Sequence, residues 1–224
     1  MIGQKIMVVA AHPDDETLGC CGTLLKLKNE GHEIYWLIVT NISEGSVYSK
    51  ERVQKRQQEI EKVSQLYGFN GIFKLDFPTA SLDQVPVAEL INKIAAVLNK
   101  VQPDTLYIPN RSDIHSDHQV LFSAIMSCTK TFRFPFVRNV LMYETISETE
   151  FCVALPENAF IPNIFSDITL WIDKKIEIMN VYGSEMGKHP FPRSERNIKA
   201  LATFRGATIG AEYAESFMLL KGII

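Results

Sequence analysis

Residues 5–19 read KIMVVAAHPDDETLG, an apolar run that breaks into one histidine, one proline and three successive acids. The run Lys5–Ala11 has the length and β-branched content of a strand buried on both faces, the form strands take inside a parallel sheet. A helical pattern follows from about Thr17 to Glu30 and is closed by Gly31, and EIYWLIVT at 33–40 repeats the signature of a buried strand. Strand, crossover helix and strand make a βαβ unit. Asp14, Asp15 and Glu16 therefore crowd at the carboxyl end of a buried strand, where desolvation is costly and like charges repel. Either a helix N-terminus or a cation must compensate them.

Further along, Asn41, Ser43 and Gly45 mark a turn, and a long polar helix is expected from about Ser49 to Tyr67, ended by Gly68. GIFKLDFP makes a third strand, Pro86 to Lys100 a helix, and TLYIPN after Pro103 a fourth strand. Residues 119–129 read as helix and NVLMYET as a fifth strand; 165–183 begin extended and become helical over DKKIEIMNVYG. The last segment, Ser194 to about Gly222, reads as mostly helical, with Gly206 and Gly210 as soft points. Strands alternating with helices of this length predict an α/β, Rossmann-like fold: a mostly parallel sheet with helices on both faces, in a single domain spanning 1–224. No GxGxxG follows the first strand, and HPDDE occupies the place of that glycine loop, which argues against dinucleotide binding.

With 46% hydrophobic residues in 224, the chain can bury a sizeable core, and its formal charge of −3 supplies no basic field for nucleic acid. No apolar stretch is long enough for a transmembrane segment, and MIGQK leads straight into a strand, so a soluble, cytoplasmic protein is expected. A homo-oligomer is compatible with this composition. The four cysteines form no CxxC pair, and the vicinal Cys20 and Cys21 read as small buried hydrophobes.

In an open α/β sheet, ligands gather beyond the carboxyl ends of the strands. HPDD follows strand one, and PNRSDIHSDHQ at 109–119 follows strand four, so three of the five histidines, His12, His115 and His118, fall in these two loops. If strands one and four are neighbours, His12, Asp15 and His118 meet around a single ion. Two imidazoles and a carboxylate suit Zn²⁺, with open positions for water and substrate, and suit Fe²⁺ as well.

AHPDDETLG at 11–19 and HSDH at 115–118 resemble the two signature motifs of the PIG-L/LmbE family of zinc-dependent N-acetyl-sugar deacetylases. RQQE at 56–59, SDIT at 166–169 and FRGATIGAEYAESF at 204–217 resemble later blocks of that family. The resemblance implies that His12, Asp15 and His118 bind the metal and that Asp14 is the general base. It implies that His115 stabilises the oxyanion or protonates the leaving amine, with Asp117 beside it fixing its orientation and raising its pKa. Arg56 matches a helix arginine that faces substrate, and His189, in the loop KHPFP, is a further candidate for the pocket lining. The implied substrate is a small N-acetylated amino sugar or its conjugate.

Two departures stand out. Cys21 replaces a frequent glycine, and Asp113 stands where some relatives carry an aromatic, which predicts a more acidic mouth to the site. Arg205 and Glu212 read as structural links between helices, and SEGSVY, DFPTASLD and ETISETEF as the specificity loops. The rival readings are a non-catalytic metal- or sugar-binding module on the same fold and a metal phosphoesterase, which often holds two metals.

Overall fold

The computed structural model describes residues 4–45 and 47–224. In chain order the elements are β1 (Lys5–Ala10), α1 (Asp15–Asn29), β2 (Glu33–Asn41), α2 (Lys50–Tyr67), β3 (Gly71–Pro78), α3 (Val87–Val101), β4 (Thr105–Pro109), α4 (Ser116–Ser127), β5 (Asn139–Tyr143), β6 (Ile164–Asp167), α5 (Ile172–Met179), α6 (Glu195–Ala207) and β7 (Ala214–Lys221). They form a seven-stranded sheet in the order β3-β2-β1-β4-β5-β7-β6. β1 to β5 are parallel, and β7 runs antiparallel to both β5 and β6.

The β1 residues Ile6–Ala10 are buried on both faces, as their continuous apolar character requires. One face packs Val8, Trp36 and Tyr143 against α1, α2, α5 and α6; the other packs Met7, Leu106 and Met142 against α3 and α4. The expected α/β, Rossmann-like architecture with helices on both faces is what the chain adopts. Local signals hold at the helix ends: Ser49 Oγ accepts the Arg52 N–H at 3.3 Å to start α2, and Gly68, at φ 65°, ends it.

The C-terminal segment corrects the expectation of helix through about Gly222. Helix α6 stops at Ala207, and Ala214–Lys221 is a strand. Its register against β5, Met142 to Met218 and Tyr143 to Phe217, places it between β5 and the edge strand β6, a position a helix could not fill. The apolar run Phe217–Leu220 is short enough to satisfy either period, and tertiary pairing decides it.

Helix α1 is broken. Cys20, at φ −148° and ψ 22°, lies off helical geometry, which frees backbone groups on either side. The Leu18 carbonyl accepts from Lys175 Nζ at 2.8 Å, while Gly22 N–H and Thr23 N–H donate to the Glu215 carboxylate at 3.0 and 2.8 Å. Lys175 and Glu215 also pair directly at 2.7 Å, both buried. Glu215 thus caps the second half of α1, which gives the AESF block a structural duty. The glycines of LGCCG let the broken helix lie against the sheet, since a Cβ at Gly19 would come within 2.3 Å of the Tyr143 ring. Cys20 and Cys21 are buried and free, as expected.

Candidate active site and metal centre

β1 and β4 are adjacent, Ile6 to Thr105 and Val8 to Tyr107, and the chain leaves β1 toward β2 on one side and β4 toward β5 on the other. This is the point where strand order reverses, and both histidine loops open onto it. The rings of His12, His115 and His118 converge there, with centroids 4.4 Å apart for His12 and His115, 5.4 Å for His12 and His118, and 5.5 Å for His115 and His118.

The Asp14 backbone sits at φ 139°, a conformation that L residues rarely adopt. It is held by the Glu16 carboxylate, which accepts the Asp14 N–H at 3.0 Å and is itself bonded by the hydroxyls of Thr17 and Tyr182. Fully buried Glu16 is pushed up to about 7 by burial. Asp15 opens α1, and its Oδ2 accepts the His12 N–H at 2.8 Å, so the HPDDE turn is fastened by its own acids.

His12, Asp15 and His118 each turn one donor atom to a common point, the three atoms lying within 4.8 Å of one another. His118 Nε2 is buried, makes no hydrogen bond, and lies 3.3 Å from Asp15 Oδ1. An unpartnered buried imidazole nitrogen beside a carboxylate fits a metal ligand. Each of the two imidazoles is backed by a further acid: His118 Nδ1 lies 2.8 Å from Asp113 Oδ2, and His12 Nε2 lies 3.0 Å from Asp117 Oδ2. Such carboxylate partners orient ligating histidines and raise their basicity.

The titrating groups follow this arrangement. Burial and then the neighbouring Asp15 raise Asp14 to about 8, while Arg193 opposes the rise. Burial works against the charge on Asp15, yet His118 and His12 outweigh it and hold Asp15 below the usual carboxylate range. Burial likewise opposes charge on His118, but Asp15 and Asp113 prevail and raise it. His115 is lowered to about 4 by burial and by His12 and His118. Four carboxylates around three imidazoles make a donor set that a divalent cation would balance.

Three expectations change. Asp117 does not orient His115 through its carboxylate: Oδ2 faces His12 and accepts Ala80 N–H at 2.7 Å, and Oδ1 accepts Leu82 N–H at 2.9 Å. The Asp117 N–H reaches His115, donating to Nδ1 at 3.1 Å; the Asp117 charge does push the His115 pKa up, but burial and then His12 and His118 outweigh it. Asp113 is not at an acidic mouth; it is wholly buried behind His118, where Asn110 Nδ2 and Thr149 Oγ1 donate to Oδ1 at 2.8 and 2.6 Å. His189 is exposed and does not line the cavity.

Arg193, four residues after His189, reaches the site instead, with Nη1 3.4 Å from Asp14 Oδ2 and Nη2 3.5 Å from Glu185 Oε2. The cavity above the histidines, of about 250 Å³, also takes Tyr48, Thr79, Thr145 and Glu148, so all three expected specificity loops contribute; Ser46 of SEGSVY lies outside the described residues. Arg56 lines this cavity, but its fork is engaged: Nη1 donates to the Pro13 carbonyl at 2.7 Å, Nη2 meets Glu185, and Nε lies 3.3 Å from Glu59. Arg205, expected as a link between helices, instead ties α6 to the segment after β5 by pairing with Glu144 at 2.8 and 2.7 Å.

The chain is 25% identical over 228 residues to diacetylchitobiose deacetylase of Thermococcus kodakarensis, covering 98% of this chain and 84% of that protein. Its fold matches the structure of N,N'-diacetylchitobiose deacetylase from Pyrococcus horikoshii with a TM-score of 0.78 and 21% identity, over 99% of this chain and 85% of the other. GalB, the 4-carboxy-2-hydroxymuconate hydratase from Pseudomonas putida KT2440, shares the fold at a TM-score of 0.74 and 16% identity, over 99% and 98% of the two chains. The family model described as PIG-L, GlcNAc-PI de-N-acetylase, matches residues 7–129, more than half of the chain and both histidine loops, and the chain belongs to that family.

Proposed function

We propose that the chain acts as one domain, a metal-dependent hydrolase that removes the N-acetyl group from an amino sugar or its conjugate. The observation that carries this reading is His118 Nε2, buried and unbonded beside Asp15, with the His118 and His12 imidazoles each braced by a carboxylate. His12, Asp15 and His118 would hold Zn²⁺, or Fe²⁺, for which two histidines and a carboxylate are equally suited. Such an ion, when bound, supplies Lewis acidity and makes water a nucleophile near neutral pH.

The chain's own residues divide the remaining work. Asp14 takes the proton of the attacking water; a cation beside it and Arg193 at 3.4 Å both favour the carboxylate that burial alone would neutralise. His115 is neutral at pH 7, and because Nδ1 accepts the Asp117 N–H, the proton sits on Nε2. A neutral imidazole has no spare proton to give at pH 7 but can still offer its Nε2–H to the developing oxyanion, which favours the oxyanion role of the two expected for His115. The proton held by Asp14 then passes to the departing amine. Arg56 keeps the HPDD turn in place through the Pro13 carbonyl and Arg52 is paired with Glu185, leaving Tyr48 and Glu148 as polar wall for sugar hydroxyls.

Against a pure binding module stands Asp14, a carboxylate outside the ligand set and held in a strained backbone. Against a two-metal phosphoesterase, the second group of donors, His12, His115 and Asp117, adds only two residues to the first, and the Asp117 carboxylate already accepts the Ala80 and Leu82 N–H groups. The four free cysteines support a reducing, cytoplasmic setting. The test is acetate release from N-acetylglucosamine, its glycosides and its nucleotide conjugates by zinc-loaded protein: release that needs the metal is expected, and no release from any of them would overturn the reading.

A further inference from the structure

A second cavity, about 560 Å³, adjoins the reaction cavity, and Thr145 lines both. It lies between the segment after β5 and helix α6, with Ile146, Phe160, Leu201 and Phe204 on its walls. Its charged and polar side chains are mostly spoken for. The Glu144 carboxylate takes Arg205 at 2.8 and 2.7 Å and the Ser216 hydroxyl at 2.8 Å, and Asn197 Nδ2 donates to the Pro192 carbonyl at 2.8 Å. A cavity whose ion pair is internally satisfied has little to offer a charged ligand, whereas its exposed apolar walls gain by being covered. Phe204, on its wall, is 65% exposed, and Cys152 and Ala154 of the neighbouring loop also line the cavity. At the junction of the two cavities, the Thr145 hydroxyl is buried without a hydrogen-bond partner, while the Thr145 N–H is taken by Thr149 Oγ1 at 2.8 Å.

From this we infer that the second cavity binds an apolar substituent carried by the substrate, while the reacting amide and sugar occupy the histidine-lined cavity. The inference rests on the proposed deacetylase reading and extends it to a substrate class: amino sugars bearing an alkyl or aryl group. Two attachments share that chemistry, an apolar aglycone and a longer N-acyl chain. The contrast between the cavities supports the division, since the smaller is lined by three arginines and four acids, whereas in the larger Arg205 and Glu144 pair with each other, Glu150 accepts the Ser147 N–H, and the remaining wall includes Ile146, Phe160, Leu201 and Phe204.

The test compares the metal-loaded protein on the methyl and octyl glycosides of N-acetylglucosamine, and on N-acetyl- and N-octanoylglucosamine, with calorimetric binding measured beside turnover. The expected result is a kcat/KM at least about tenfold higher for the octyl member of one pair, the scale on which apolar pockets discriminate chain length. The pair that shows it identifies the attachment. In Ala159→Trp, which fills the cavity, and in Phe204→Ser, which strips its wall, the ratio within that pair should fall toward one, a readout insensitive to general loss of activity. Equal kcat/KM within both pairs, or an octyl preference that survives both substitutions, would overturn the inference and leave the deacetylase reading intact. Octyl binding that is abolished by Ala159→Trp, with no hydrolysis of any compound, would support the cavity and refute the deacetylase reading. Absence of both binding and hydrolysis would refute both.

Discussion

Asp113 Oδ2 lies 2.8 Å from His118 Nδ1, and both side chains are buried, so the imidazole that turns Nε2 toward Asp15 is aimed by an acid from its own loop. If this pairing sets the orientation and basicity of a metal ligand, Asp113→Ala should weaken zinc binding by about 10- to 100-fold, the usual effect of losing such a partner. Competition with a chromophoric chelator measures it. Unchanged zinc affinity would show that Asp113 serves the loop alone.

The base assignment separates metal retention from turnover. Asp14→Asn should keep the metal and lose at least about 10²-fold in kcat, the scale of general acid–base catalysis. Elemental analysis and acetate release on one preparation give both numbers. Near-full turnover would remove Asp14 from the mechanism, and loss of metal would make it a ligand.

Arg193 lowers the Asp14 pKa against burial and Asp15. Arg193→Met should therefore move the acidic limb of the kcat against pH profile upward, because a base with a higher pKa is ionised only at higher pH. A profile that drops uniformly without shifting would mean that Arg193 holds substrate or loop rather than tuning Asp14.

Glu16 predicts a pH dependence of stability in chelator-treated protein. Its folded pKa, about 7, is above the unfolded reference of 4.5, so the native state holds the proton more tightly. The associated stability is fully present below about pH 4.5 and is lost as pH rises through about 7. Across that interval the loss is of order 3 kcal/mol, at 1.36 kcal/mol per pKa unit. Urea unfolding at pH 5 and pH 8 should show a smaller difference in Glu16→Gln than in wild type, and an equal difference would assign it to other groups.

The break in α1 depends on the buried Lys175–Glu215 pair. Glu215→Ala strands a buried ammonium and uncaps Gly22 and Thr23, so a loss of about 3–5 kcal/mol is expected in urea unfolding. Lys175→Met combined with Glu215→Leu should cost less than Glu215→Ala alone, because no charge is left buried. The reverse order would show that the pair is not what holds the kink.

The parallel half of the fold was readable in the chain because strands buried on both faces are continuous apolar runs, as in KIMVVA and EIYWLIVT, bounded by helix caps such as Ser49 and Gly68. β7 escaped because AESFMLLK draws its strand character from pairing with β5 across more than seventy residues. The convergence of His12, Asp15 and His118 was legible from their place after two strands. Asp113 and Asp117 were visible as residues, but which imidazole each braces depends on the path of a loop. Arg193 and Glu185 carried no local signal beyond a proline-rich loop; their partners, Asp14 and Arg56, lie more than a hundred residues away.

Two groups of donors meet at this site, His12 with Asp15 and His118, and His12 with His115 and Asp117, and the mechanism depends on the first being the metal centre. Anomalous diffraction at the zinc edge from crystals of zinc-loaded protein decides between them. A single strong peak bounded by His12, Asp15 and His118 is predicted; a peak between His115 and Asp117, or none at full zinc loading, would contradict the account.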